Sequence, residues 1–103
     1  MSDLKIEDLI IDFDFFDNWE DKYKYIIELG KNFPSLNEEE KNNDNKVDGC
    51  ASQVWLIIKK EKIGDKIILK FRGDSDAILV KGLVVILFSI FSEKSPDEII
   101  KID

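Results

Sequence analysis

The sequence predicts an α+β fold, a small antiparallel sheet packed against helices, and three observations carry that reading. Apolar residues recur at helical spacing in the first thirty or so residues and again from about Asp76 to Phe91. Between those stretches, Ser52 to Lys60 and Ile67 to Phe71 are rich in β-branched and aromatic residues and flank a Gly-Asp turn signal. At 103 residues the chain can bury one hydrophobic core and is too short for two, so residues 1–103 are read as a single domain.

Taken in order, Ser2 or Asp3 can cap a first helix running to about Phe16, with Leu4, Ile6, Leu9, Ile10, Phe13 and Phe16 toward one side. Asp17-Asn18 starts a second helix, with Glu20 and Asp21 in the first turn where acids favour the helix dipole. Trp19, Tyr23, Ile26 and Ile27 follow at helical spacing and are read as core, and Gly30 is read as the C-terminal cap. Phe33-Pro34 stops any continuation, and the polar stretch Ser35 to Lys46 reads as a short helical turn and a solvated loop. In the hairpin, a five-residue turn from Glu61 to Asp65 sets Lys60 opposite Lys66, Trp55 opposite Phe71 and Ser52 opposite Asp74, to within the one residue a bulge would add. Lys70 and Arg72 then lie on the other face, nearer solvent. Ser75 or Asp74 is expected to cap the next helix, which is apolar on nearly every side and should lie buried on the sheet face of Trp55 and Leu69. Ser95-Pro96-Asp97-Glu98 combines a capping serine, a proline at the first position and a glutamate three residues on, a strong helix start.

Composition excludes several function classes. The formal net charge of −7 argues against nucleic acid and anionic membranes as partners, since both are bound through clustered lysine and arginine. A protein partner is expected instead. One cysteine and no histidine leave no internal disulfide, no zinc site of the usual ligands and no histidine-based acid, base or nucleophile. The N-terminus shows no secretory pattern, and a free thiol is expected in the cytoplasm.

The lone thiol lies in Val47-Asp48-Gly49-Cys50-Ala51-Ser52-Gln53-Val54, where a polar loop gives way to the apolar strand. An isolated intracellular cysteine is usually an inert, buried small hydrophobe. Here Gly49 permits backbone geometry that other residues resist, and Cys50 comes just before a rigid element, a common setting for reactive groups. The counted register returns Gly73-Asp74-Ser75-Asp76 beside Cys50, and Ala51 and Val47 are expected to cover the thiol with an apolar pocket. One thiol cannot hold an iron-sulfur cluster or act as a dithiol oxidoreductase. It can accept one sulfur atom as a persulfide, and the absence of a second thiol protects that persulfide from attack.

Asn45, Val47, Gly49, Cys50, Ser52, Gln53, Val54 and Trp55 together resemble the signature of the SufE family. Gly73-Asp74-Ser75-Asp76-Ala77 followed by Val80-Lys81-Gly82-Leu83 resembles a second block of that family, and Tyr25-Ile26-Ile27-Glu28-Leu29-Gly30 resembles its second helix. The resemblance implies a SufE/IscU-like α+β fold whose sheet has about three strands, the first of them short and near Val47, with Cys50 at a loop tip. It implies a sulfur acceptor and carrier, not itself an enzyme and without a cofactor of its own. Cys50 would take persulfide sulfur from a pyridoxal-phosphate-dependent cysteine desulfurase and pass it to an iron-sulfur cluster assembly scaffold. The flanking site residues would be Asp48, Gly49, Ala51, Ser52 and Gln53 from one block and Asp74 and Asp76 from the other. A monomer or weak dimer is expected. SufE proteins continue into a further helical segment beyond the position of Asp103, so this chain is expected to be a C-terminally short form. The alternative reading is a binding module that activates the desulfurase allosterically and needs no thiol.

Overall fold

A computed structural model describes residues 5–102, in which the element order is α1 (Ile6–Phe15), α2 (Trp19–Asn32), β1 (Val54–Ile63), β2 (Lys66–Ser75), α3 (Ile78–Phe91) and α4 (Pro96–Ile100). The expected caps Ser2 and Asp3, and Leu4 of the first apolar stripe, lie outside the described residues. Asn18 caps α2 as its side chain type predicts, its Oδ1 accepting from the Asp21 amide at 2.9 Å.

Gly30 does not end α2, which runs on to Asn32. Its lack of a side chain serves packing instead. A Cβ on Gly82 of α3 would sit 2.0 Å from the Ile26 carbonyl oxygen, and one on Gly30 would sit 2.8 Å from the Gly82 nitrogen. The two helices therefore cross with their backbones in contact, a geometry that any larger side chain at Gly82 forbids. The expectation that Trp19 and Tyr23 are core also fails, since they are 62% and 50% exposed. They share a stripe with Ile26 and Gly30, but only the C-terminal half of that stripe meets α3. The N-terminal half forms an aromatic cluster with Phe13 of α1, and the Lys22 ammonium stands 5.0 Å from the Trp19 ring. Tyr25, by contrast, is half-buried and donates to Asp12 at 3.0 Å, so burial and then that carboxylate push its pKa up to about 12.

The hairpin is longer and tighter than the sequence count. Gly64 and Asp65 alone make the turn, with Gly64 at φ +61°, as the leading residue of a type II′ connection requires. Pairing therefore runs Ile63 to Lys66, Lys60 to Leu69, Ile57 to Arg72 and Trp55 to Asp74. The counted register is wrong by three residues, an odd number, which flips which residues share a face. Trp55 lies beside Asp74, and Phe71 pairs with Ile58 instead. The sheet has two strands. The expected first strand near Val47 amounts to an isolated bridge from Lys46 to Trp55, held where the Val47 amide donates to the Val54 carbonyl and the Leu56 amide to the Asn45 carbonyl, both at 2.8 Å.

α3 begins at Ile78 after Ala77, with no side-chain cap, so neither Ser75 nor Asp74 starts it as expected. Ser75 closes a tighter turn, its Oγ accepting from the Ala77 amide at 3.2 Å. Lys81, Gly82, Val85, Phe88 and Ser89 form the buried side of α3, and Phe88 stacks on Phe71 with centroids 5.6 Å apart. The helix is not buried all round. Leu83 and Leu87 are 45% and 51% exposed, because α2 and the two-stranded sheet cover one side of it and α1 meets it at only a few residues. α4 carries the capping box that Ser95 and Glu98 announce, and Glu98 also pairs with Lys66 of β2, so it ties α4 to the hairpin. None of the helices among the described residues is long and apolar enough to cross a membrane.

Candidate functional site

β1 begins only at Val54, and the residues before it form a loop whose two ends are fastened while its tip is free. At the base, the Val47 amide donates to the Val54 carbonyl at 2.8 Å. One residue earlier in the strand direction, Gln53 is held from the other side: its amide donates to Asp76 Oδ1 at 3.0 Å, and its carbonyl accepts from Ser75 Oγ at 2.8 Å and from the Asp76 amide at 3.2 Å. Asp48 and Gly49 make the turn between, Gly49 at φ +86° in a conformation that residues with a side chain rarely adopt. Cys50 follows at the tip and is exposed. Ala51 is exposed too, so the expected apolar cover over the thiol is absent. Gly49 makes the turn, and within the loop only Val47 and Ser52 are half-buried.

Of the expected site residues, Asp48, Gly49, Cys50, Ala51, Ser52 and Gln53 share this loop, and Asp76 joins it through Gln53. Asp74 does not. It pairs with Trp55 rather than Ser52, and its carboxylate, with only 3% of the residue exposed, turns into the protein. There Oδ2 accepts from the Leu36 amide at 3.0 Å and lies 3.5 Å from the Lys41 ammonium. Oδ1 accepts from the Ser75 amide at 2.9 Å and lies 3.6 Å from the Lys81 ammonium. Lys81 in turn donates to Ser35 Oγ at 2.7 Å, and Lys41 sits 5.7 Å from the Trp55 ring centroid. A buried carboxylate is tolerable only with such partners, and here they come from three separate segments.

The polar stretch 35–46 is therefore not a free loop. Besides the Leu36 and Lys41 contacts to Asp74, Glu40 forms a bidentate pair with Arg72 at 2.6 and 2.9 Å. Those hydrogen bonds first, and the Asn37 amide second, hold the Glu40 carboxyl below the usual carboxylate range. Asn45 at the end of this stretch accepts the Leu56 amide on its carbonyl, so fastening 35–46 also fastens the lead into the Cys50 loop. Sequence reasoning missed Lys41, Glu40, Arg72 and Lys81 as supports. One signal was available: Lys81 is the only charge in an otherwise apolar α3, and a lone charge on a buried helix needs a partner.

The arrangement is an accessible thiol on a short loop whose root is fastened on both sides. Among the described residues no group of three or more histidine, cysteine, aspartate or glutamate side chains is placed to hold a metal ion.

Comparison with known proteins bears on what this thiol serves. A SufE-like protein of Rhizobium meliloti is 49% identical over 98 residues, 95% of this chain and 70% of that protein. A SufE-like protein of Rhizobium etli is 48% identical over the same length, 95% of this chain and 66% of that protein. The chain thus spans about two thirds of the length of these relatives. Residues 7–103 match the SufE family, described as an Fe-S metabolism associated domain, and the chain belongs to that family.

Proposed function

We propose that this chain is a sulfur acceptor and carrier that loads on Cys50. The observation that carries the reading is the placement of the chain's sole thiol, exposed at the tip of a loop rooted at both ends, in a member of a family associated with iron-sulfur metabolism. The Cys50 thiolate attacks the outer sulfur of a persulfide on a cysteine desulfurase. The bond between that sulfur and the donor's cysteine breaks, the donor's cysteine leaves as thiolate, and Cys50 becomes the persulfide. Electrons balance within this exchange, so no oxidant or reductant enters. A second exchange of the same kind passes the sulfur to an iron-sulfur assembly scaffold. Exposure of the thiol serves the transfer, because two cysteines of different proteins must meet at bonding distance. The rigid root limits the volume the thiol searches.

Incubation with a cysteine desulfurase and cysteine should add the mass of one sulfur atom at Cys50, removed again by a thiol reductant. Cys50→Ser should lose the gain and stay folded. If the serine variant accelerates the desulfurase as well as the parent does, the carrier reading falls and thiol-independent activation replaces it.

A further inference from the structure

The hairpin is charged unlike the rest of the chain. Residues 54–75 hold six of the 15 basic residues and three of the 22 acidic ones, a net of +3 against −10 for the remainder. Asp74 is buried and ion-paired, and Lys66, Lys70 and Arg72 are held by Glu98, Glu61 and Glu40, so the hairpin cations outside these pairs are Lys59, Lys60 and Lys62 of β1.

This basic hairpin also has an open edge. The N–H and C=O groups of a strand point to alternate sides, residue by residue. Val54 and Leu56 direct theirs away from β2, to Val47 and Asn45. By the same alternation Ile58, Lys60 and Lys62 present theirs on that outer edge, and among the described residues none of them has a hydrogen-bond partner there. The outer edge of β2 differs, being occupied at Leu69, whose amide donates to the Lys94 carbonyl at 2.9 Å and whose carbonyl accepts from the Glu93 amide at 2.8 Å. Ile58 is 53% exposed, and Lys60 and Lys62 are exposed beside it.

We infer that the open edge of β1 binds an extended acidic segment of a partner protein as a third strand, one in which acidic residues alternate with apolar ones. Strand addition draws its affinity from the main-chain hydrogen bonds that Ile58, Lys60 and Lys62 leave unmade, and its specificity from alternate side chains. The two faces of β1 ask for different chemistry. Lys60 and Lys62 stand on one face and call for carboxylates. Ile57, Lys59 and Glu61 stand on the other and line a cavity of about 410 Å³ that apolar side chains of the added strand would cover. A second copy's hairpin is a poor occupant, because pairing two β1 edges sets Lys59, Lys60 and Lys62 against one another. The acidic run Glu38 to Glu40 of a second copy is equally unsuited, being folded into turns with Glu40 already held by Arg72.

The inference does not use the Cys50 thiol, so Cys50→Ser should bind as the parent does, and failure of sulfur loading leaves the edge site to be judged separately. The test is amide hydrogen exchange with a synthetic peptide of about ten residues, a strand's length, alternating glutamate and valine. At saturation it should slow exchange of Ile58, Lys60 and Lys62 about tenfold or more and lose affinity as salt rises. The same peptide with lysine for glutamate should not bind, nor should a form N-methylated at alternate residues. Lys60→Pro removes one edge donor that β2 does not use and should weaken binding about tenfold while the amides between β1 and β2 stay protected. Lys60→Glu with Lys62→Glu, which leaves the backbone alone, should weaken it likewise. Exchange at these amides unchanged by the acidic peptide, equal binding of the lysine peptide, or slowing that depends on protein concentration without peptide would each overturn the inference, the last by showing a second copy on the edge.

Discussion

Asp74 and Asp76 stand two residues apart where β2 runs out toward α3, and the protein uses one carboxylate as an internal anchor and the other as a surface clasp. Asp74 is still within the strand, so the pleat decides where it points: onto the face it shares with Trp55, under the 35–46 segment, among Leu36, Lys41 and Lys81. Asp76 lies past the strand, is exposed, and exchanges two hydrogen bonds with Gln53 at the root of the Cys50 loop. The pair shows how a loop can be presented without being buried. A largely buried polar cluster holds the residues one step inside, and only the Gln53 contacts reach the root of the exposed loop. If Cys50 is to meet a thiol on another protein, this division leaves the tip adjustable and its root fixed.

The sharpest way to break this comparison is Asp74→Ala. It leaves the buried Lys81 without its carboxylate partner and removes the acceptor of the Leu36 amide, so we expect a loss of about 3 kcal/mol or more in urea unfolding. A loss under about 1 kcal/mol would mean that the cluster is not the anchor. Asp76→Ala should cost far less, about 1 kcal/mol or below, since it removes one exposed hydrogen bond. Its effect should be local: faster exchange of the Gln53 amide, with the strand amides of β1 and β2 unchanged. Equal destabilisation by the two alanines would erase the distinction between anchor and clasp.

A pH titration sharpens the same contrast from the loop's other side. The Glu40 carboxyl is held low by Arg72, so its charged form is favoured in the folded protein. The contribution of this pair is therefore fully present above the ordinary glutamate value of about 4.3 and is lost as the pH falls through the lowered one. Acidification through that window should raise exchange at residues 37–45, and Arg72→Met should remove the window while leaving a uniformly looser segment. Protection unaffected by either change would show that Asp74 alone holds the segment. The smallest effect is expected at Cys50 itself: an exposed side chain at a loop tip packs on little, so Cys50→Ser should shift stability by less than about 0.5 kcal/mol. A larger shift would mean that the thiol is packed, contrary to its exposure here.

Much of the candidate site was legible in the chain. Gly49 before a lone cysteine at the mouth of a strand marks a loop that a rigid element holds, and the loop is there. The return of the Ser75-Asp76 block to that loop also follows from hairpin pairing, and it holds even though the counted register does not, because both registers bring the end of β2 back to the start of β1. The supports were not legible. Nothing local distinguishes Glu40 from Glu38 and Glu39, and only the folded path across β2 selects it for Arg72.

By itself the sequence determined what short-range chemistry governs: the Asn18 cap, the Ser95 capping box, the break after Phe33-Pro34, two β-rich runs joined at Gly64-Asp65, and a single thiol with no second cysteine to pair with. Only the tertiary structure decided what depends on distant segments. The turn could close over two residues or five, since Glu61, Lys62 and Ile63 suit strand or turn alike, and the longer pairing recovers three more residues of ladder. The burial of Asp74 follows from that register, which aims it at Lys81 of α3 and at the 35–46 segment. The exposure of Leu83, Leu87, Trp19 and Tyr23 follows from how few elements are present to cover their stripes, a matter of packing that periodicity along one helix does not contain.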